Sequence, residues 1–312
     1  MKKESALNTQ KIVPCLWFDR QAEEAAHHYA SIFANSKIGP IVHAGKTGTE
    51  THGVPEGAVL TVEFEIEGLR FAALNGGPLF HFTPAISFLV ACRTAGEVDA
   101  LWGKLTEGGT ALMDLGEYPF SERYGWTADK YGLSWQVMAM GDREIRQRIV
   151  PTLMYVGEQC GKAEAAIRLY TSVFDGAKIG EILRYGPGEE PDKEGTVKHA
   201  GFTLEGLDLA AQESAYDHSF TFTEAISLMR LCETQGEIDQ FWEKLTVDGG
   251  EESMCGWLKD KFGVSWQIVP AGLDEMLRDP DPERVARVMN AFLKMRKIDI
   301  AELERAFRGE TR

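Results

Sequence analysis

This chain repeats itself, and the repeat constrains its fold more than any other feature. Ile12-Val13-Pro14 returns as Ile149-Val150-Pro151, Ser31-Ile32-Phe33 as Ser172-Val173-Phe174, and Lys37-Ile38-Gly39 as Lys178-Ile179-Gly180. Glu67-Gly68-Leu69 returns as Glu205-Gly206-Leu207, and Ala85-Ile86-Ser87 as Ala225-Ile226-Ser227. Trp102 to Thr106 matches Trp242 to Thr246, and Gly132 to Gln136 matches Gly263 to Gln267. Matches kept in one order signal a duplicated unit, and such a chain is read as an array before any element is assigned. The offset between copies drifts, which places insertions near Gly157–Lys162 in copy two and between Gly109 and Gly125 in copy one. Insertions concentrate in surface loops, so both stretches are expected to be loops. The expected organisation is a polar tail over 1–10, a first domain over 11–142, a second over 143–270 and a helical tail over 271–312.

Within a copy the hydrophobic period alternates. Ile12 to Phe18 reads as a strand, and Ala22, Ala25, Ala26, Tyr29, Ile32 and Phe33 fall on one helix face. Ala58 to Ile66 and Leu69 to Leu74 read as strands around a turn at Glu67-Gly68, and Ala85 to Cys92 as another. Thr94 and Glu97 form a capping box ahead of a second helix, and Thr234 with Glu237 repeats it. Short strands ending at Ser134–Met138 close the copy. Each copy therefore reads β-α-β-β-β twice over. The fold class is α+β: two tandem domains, each a pair of βαβββ units forming a curved mixed sheet with helices on one face. The other face is left as a concavity or an interface. In the tail, Asp281-Pro282 is a helix start, Asp299 caps a last helix, and both helices have an apolar face expected to pack across a domain surface.

Composition narrows the function classes. A formal net charge of −15 argues against a nucleic-acid footprint and against an anionic membrane surface. No run approaches the length of a membrane span, and Met1 to Thr9 is polar rather than a signal-peptide core. The five cysteines are scattered without a CxxC pair. A cytoplasmic protein is expected, with no nucleic-acid or membrane partner.

A doubled βαβββ unit on a curved sheet resembles the vicinal-oxygen-chelate superfamily of glyoxalase I, extradiol dioxygenases and the fosfomycin- and bleomycin-resistance proteins. More closely, the chain resembles the PhnB-like family, which carries the label "3-demethylubiquinone-9 3-methyltransferase domain". The residues behind this are Pro14 to Asp19, Gln21 to Ala25, Ala73-Leu74-Asn75-Gly76-Gly77-Pro78 and Phe82 to Ser87, then Cys255 to Gly263 with Ser265-Trp266-Gln267, and the tail from Arg287 to Ile300. Copy one has Tyr124 where copy two has Cys255. Copy two has Gln212-Glu213-Ser214-Ala215 where copy one has Leu74-Asn75-Gly76-Gly77. The resemblance implies bowls whose metal-using relatives hold a divalent ion through His, Glu or Gln on facing strands. Placed on that pattern, the ligand positions fall at Pro14 and Pro151, Ala85 and Ala225, and Gln136 and Gln267, a set that cannot hold a divalent cation. No metal and no cofactor are expected. The label implies S-adenosylmethionine, yet the first strand runs into Asp19-Arg20-Gln21-Ala22 without the Gly-rich turn most such enzymes use.

The candidate ligand-binding residues are Trp17, Asn75, Ser87, Gln136, Gln212, Glu213, Ser227, Cys255, Trp257 and Gln267; no catalytic residue is assigned. Alternation puts Ser134, Gln136 and Met138 on one strand face, and Ser87 and Ser227 share the inward face two residues after the empty positions. Each glutamine reads equally as a buried amide paired to backbone, each serine as a satisfied core hydroxyl, and Asn75 as a turn residue. Glu213 reads as a general base if buried, otherwise as an exposed carboxylate. Trp17 and Trp257 read as aromatic walls or core, and Cys255, near Lys259 and Lys261, as a thiol of lowered pKa or a small hydrophobe. The expected function is metal-independent binding of an unknown small molecule. The alternatives are an enzyme, methyl-transferring or metal-assisted of the lyase or dioxygenase type, and a ligand-sequestering resistance-type protein. Superfamily relatives pair into dimers, so the two copies are expected to pair within the chain, as a monomer or homodimer.

Overall fold

The structure, a computed structural model, describes residues 10–310, and the expected polar tail lies almost wholly outside the described residues. Four βαβββ units follow one another. The first holds β1 (Ile12–Phe18), α1 (Ala22–Ile32), β2 (Ser36–His43), a short α2 (Thr49–His52), β3 (Val59–Ile66) and β4 (Leu69–Asn75). The second holds β5 (Ile86–Cys92), α3 (Ala95–Leu105), β6 (Thr110–Tyr118), β7 (Ser121–Ala128) and β8 (Ser134–Ala139). The third holds β9 (Ile149–Val156), α4 (Ala163–Val173), β10 (Lys178–Arg184), β11 (Val197–Leu204) and β12 (Leu207–Ser214). The fourth holds β13 (Ile226–Cys232), α5 (Gln235–Thr246), β14 (Glu251–Glu252), β15 (Trp257–Lys259) and β16 (Ser265–Pro270). The tail forms α6 (Leu273–Leu277), α7 (Pro282–Phe292) and α8 (Ile300–Arg308), with Asp281 and Asp299 accepting the N–H groups of Glu283 and Glu302 as caps.

The units pair across the repeat rather than within it. Sheet I runs β14-β15-β16-β13-β1-β4-β3-β2 and sheet II runs β10-β11-β12-β9-β5-β8-β7-β6. Each sheet is mixed and eight-stranded, and each takes one unit from copy one and one from copy two. The junctions are antiparallel: Cys15 opposes Ser227 between β1 and β13, and Ser87 opposes Thr152 between β5 and β9. A strand's period-2 pattern specifies which face is buried, not which copy supplies its neighbour. The sheet count and layers therefore follow from the sequence, whereas the exchange of halves does not.

One continuous core lies between the helical faces of both sheets. Phe71 of β4 meets Phe88 of β5 at 5.1 Å between ring centroids, and Trp135 of β8 packs on Phe33 behind α1. Two matching clamps lock each copy across the two sheets. Tyr29 Oη and Trp135 Nε1 donate to Asp129 Oδ2 at 2.8 and 2.9 Å, while the N–H groups of Tyr131 and Leu133 reach Oδ1. Tyr170, Trp266, Phe262 and Val264 treat Asp260 in the same way. A buried carboxylate with four donors is a satisfied one. The insertion near Gly157–Lys162 is a loop, carrying a 3-10 turn over Gly157–Gln159. The other insertion is a correction: Gly109 to Gly125 is mostly hairpin, β6 and β7, where copy two has only the two-residue β14 and three-residue β15.

Candidate functional site

The faces turned away from the shared core form two bowls with the same floor and different contents. In β1, Ile12, Leu16 and Phe18 enter the core, whereas Val13 and Cys15 join Ala72 in a separate cluster. Register carries a row across sheet I: Glu63 opposes Ala72, Ala72 opposes Cys15, Cys15 opposes Ser227, and Ser227 opposes Ser265. Gln267 Nε2 donates to Ser227 Oγ at 2.8 Å. Above this floor lies a cavity of about 500 Å³. Trp17, Trp257, Leu74 and Met229 wall it, and Leu273, Leu277, Met289 and Phe292 of the tail roof it. The tail is anchored at the rim, where Cys255 N–H donates to Met295 O at 2.7 Å and Gly256 N–H to Arg296 O at 2.8 Å. Gly256 lies at φ +79, and a Cβ there would sit 2.7 Å from Ile268 O.

Sheet II repeats the floor bond, with Gln136 Nε2 donating to Ser87 Oγ at 2.8 Å. Here the chain fills the bowl with its own side chains. Tyr124 Oη donates to Gln136 Oε1 at 2.8 Å, and Trp126 Nε1 donates to Ser134 Oγ at 2.7 Å. Tyr124 and Trp126 are buried with Met154 and Val156, and Tyr118 and Phe120 of the long hairpin lean on Tyr124.

The chain matches the model of the family described as "3-demethylubiquinone-9 3-methyltransferase" twice, over residues 10–138 and 147–269. It belongs to that family. The PhnB protein of Bacillus cereus is 39% identical over 42% of this chain and 99% of its own, with a TM-score of 0.38. Glyoxalase I from Zea mays is 11% identical over 85% of this chain and 95% of its own, at a TM-score of 0.52, a likeness of fold alone. No curated protein matches the chain. No described helix is long and apolar enough to cross a membrane.

A divalent ion of the superfamily's kind does not fit these bowls. Floor donors are Cys15, Ser227, Ser265 and Gln267 in sheet I, and Thr152, Ser87, Ser134 and Gln136 in sheet II. Burial raises the Cys15 thiol to about 11, so it carries its proton at neutral pH, and the others are neutral hydroxyls and amides. These floor groups offer no anionic or imidazole ligand, and the carboxylates that line the sheet I cavity, Glu63, Glu224, Glu251, Glu252 and Asp274, do not converge into a ligand set. Among the described residues no group of three or more His, Cys, Asp or Glu is arranged for a metal. The position placed at Pro14 by sequence is corrected by one residue, since Cys15 and its counterpart Thr152 face the bowls. For the S-adenosylmethionine that a methyltransferase label implies, β1 runs into α1 through Asp19-Arg20-Gln21 without a glycine, and the first N–H of α1 is taken by Asn75 Oδ1. The turn from β9 to α4 holds Gly157 and Gly161, but the first N–H of α4 is taken by Glu213 Oε1.

The structure brings Trp17, Ser227, Cys255, Trp257 and Gln267 together in sheet I. Trp17 meets Trp257 edge-on at 6.0 Å between centroids and donates its indole N–H to Gly77 O at 2.8 Å. A Cβ at Gly76 would come within 2.2 Å of the Trp17 ring, which explains the glycine there. Ser87 and Gln136 lie in sheet II, and Gln212 shares a register with Met154 on that bowl's face. Asn75 and Glu213 are corrections, because both are buried ties to helix starts rather than mouth residues. Asn75 Oδ1 accepts from Ala22 N–H and its Nδ2 donates to Val59 O. Glu213 accepts from Ala163 N–H and Val197 N–H at 2.7 and 2.6 Å, one to each carboxylate oxygen, which ties it to the start of α4 and to β11. For Cys255, which stays in the cavity wall, the lowered thiol pKa is the correction: burial raises it to about 11, and Sγ turns to Phe292 O.

Sequence reasoning missed Glu63. It lines the cavity, and burial followed by Asp274 of α6 raises its carboxyl to about 7, against the opposing pull of Arg70 at 3.6 Å. Alternation along β3 already placed it opposite Val62 and Phe64. The covering tail, which turns that outer face into an inner one, leaves no local signal.

Proposed function

We propose that the chain binds a small molecule, without a metal, in the bowl of sheet I. The roofed cavity of about 500 Å³ carries this reading. Its size and its mostly apolar wall with a few converging polar groups are those of small-molecule sites. The neutral floor supports binding and polar recognition rather than nucleophilic attack, because both nearby thiols are held protonated. A thermal-shift survey of metabolite-sized compounds on the full chain and on Ala72→Phe, whose ring projects into the cavity, tests it. Stabilisation of the native chain that vanishes in the variant is expected. Stabilisation surviving in Ala72→Phe places the site elsewhere.

One observation favours a catalytic second reading. Glu63 in the same cavity titrates near neutrality, as a general acid or base must. Turnover of a bound compound, lost in Glu63→Gln with binding kept, separates an enzyme from a protein that sequesters its ligand.

A further inference from the structure

We propose that the bowl of sheet I takes an uncharged or cationic aromatic molecule bearing N–H or O–H donors on its ring, an indole or a phenol. It would sit where sheet II holds its own Trp126 and Tyr124. This deepens the binding reading above and rests on it.

The repeat supplies an internal comparison. Ser134, Gln136, Ser87, Trp126 and Tyr124 correspond to Ser265, Gln267, Ser227, Trp257 and Cys255. In sheet II an indole N–H and a phenol O–H satisfy Ser134 Oγ and Gln136 Oε1. In sheet I the acceptors remain and the donors are gone. The Gln267 amide is anchored to Ser227 as Gln136 is to Ser87, so its carbonyl end is set in the same way. Cys255 replaces the phenol, sits at φ +60, and turns its thiol towards Phe292 O. Trp257 leaves the serine and stacks edge-on with Trp17. Ser265 Oγ, in a residue 1% exposed and lining the cavity, is left with no hydrogen-bond partner among the described residues. A buried polar atom without a partner costs about 1–3 kcal/mol, and a ligand donor at Ser265 Oγ would relieve that cost as Trp126 does at Ser134.

The rim selects by charge. Glu63, Glu224, Glu251, Glu252 and Asp274 line the cavity, against Lys259, which is already paired with Glu224 at 2.7 Å. An anionic ligand is disfavoured there, and flat aromatic area suits the walls of Trp17 and Trp257.

Calorimetric titration of the full chain with indole, naphthalene and indole-3-acetate tests the assignment. Indole is expected to saturate and to bind about 5-fold or more tighter than naphthalene, the factor one hydrogen bond supplies. Indole-3-acetate should bind more weakly than indole. Ser265→Ala, which removes an unpartnered hydroxyl and leaves the fold intact, should reduce indole affinity about 5-fold and leave naphthalene unchanged. Equal binding of indole and naphthalene, indifferent to Ser265→Ala, overturns the donor assignment while leaving the bowl a binding site. No binding of either aromatic, in a chain that another compound stabilises through the same cavity, overturns the aromatic assignment alone. If no compound stabilises the chain, the binding reading falls with it.

Discussion

The two bowls have the same floor and opposite contents. In sheet II, Tyr124 and Trp126 lie on Gln136 and Ser134, and the β6–β7 hairpin closes over them. In sheet I the hairpin shrinks to β14 and β15, the aromatic donors are withdrawn or replaced, and a cavity remains under the tail. Duplication gave two equivalent hollows. One has become core, and the other has been kept open and given a roof. The shared Tyr–Asp–Trp clamps show that the core side keeps the same ties in both copies.

The largest expected effect sets the two tryptophans against each other. Trp126→Ala removes a packed, hydrogen-bonded indole and should cost about 3–5 kcal/mol in urea unfolding. Trp257→Ala, beside an existing cavity, should cost about 2 kcal/mol less, since less packing is lost. Equal costs would mean that sheet I is as closed as sheet II. The clamps sharpen the comparison from the other side. Asp129→Ala strands a buried phenol, an indole N–H and two backbone N–H groups. Asp260→Ala does the same except that Tyr170 Oη keeps Tyr155 Oη at 3.4 Å, and each should cost about 3 kcal/mol or more. A clear inequality between them would show that the copies diverge in their scaffolds as well.

The serines give a smaller difference with a change of sign. Ser134→Ala leaves the Trp126 N–H unpaired and should cost about 1–3 kcal/mol, whereas Ser265→Ala should be neutral or stabilising. A matching cost at Ser265 would mean that its hydroxyl has a partner in solution. The smallest effect concerns pH. The folded state holds the Glu63 proton up to about 7, whereas an unfolded Glu releases it near 4.5. The native state therefore binds more protons between those values. Glu63 contributes its full stability below about 4.5 and loses it as pH rises through about 7. Glu63→Gln should flatten that decline in denaturation midpoints across the window. The equivalent position in sheet II has no such group, because Glu63 faces Ala72 whereas its counterpart Gly201 faces Ala210.

Much of this was legible in the sequence. The repeated motifs give the units, the capping boxes give α3 and α5, and alternation puts Gln136, Gln267, Ser87 and Ser227 inside the bowls. What was not legible depends on partners that local pattern does not name. Strand periodicity is blind to the exchange of halves between copies. Cys15 was hidden by a one-residue shift from Pro14, since both faces of β1 are buried and the alternation is masked. Asn75 and Glu213 read as mouth residues because their strand ends at the rim; their bonds to α1 and α4 depend on three-dimensional proximity. Glu63 became a cavity residue only through the tail, more than two hundred positions away in the chain.

The central claim is that one bowl is open to a ligand and its twin is occupied by the chain itself. The stoichiometry of indole binding to the full chain, by calorimetry alongside Ala72→Phe, tests it most directly. The account predicts one indole per chain, and none in the variant. Two per chain, or one that survives in Ala72→Phe, would contradict it.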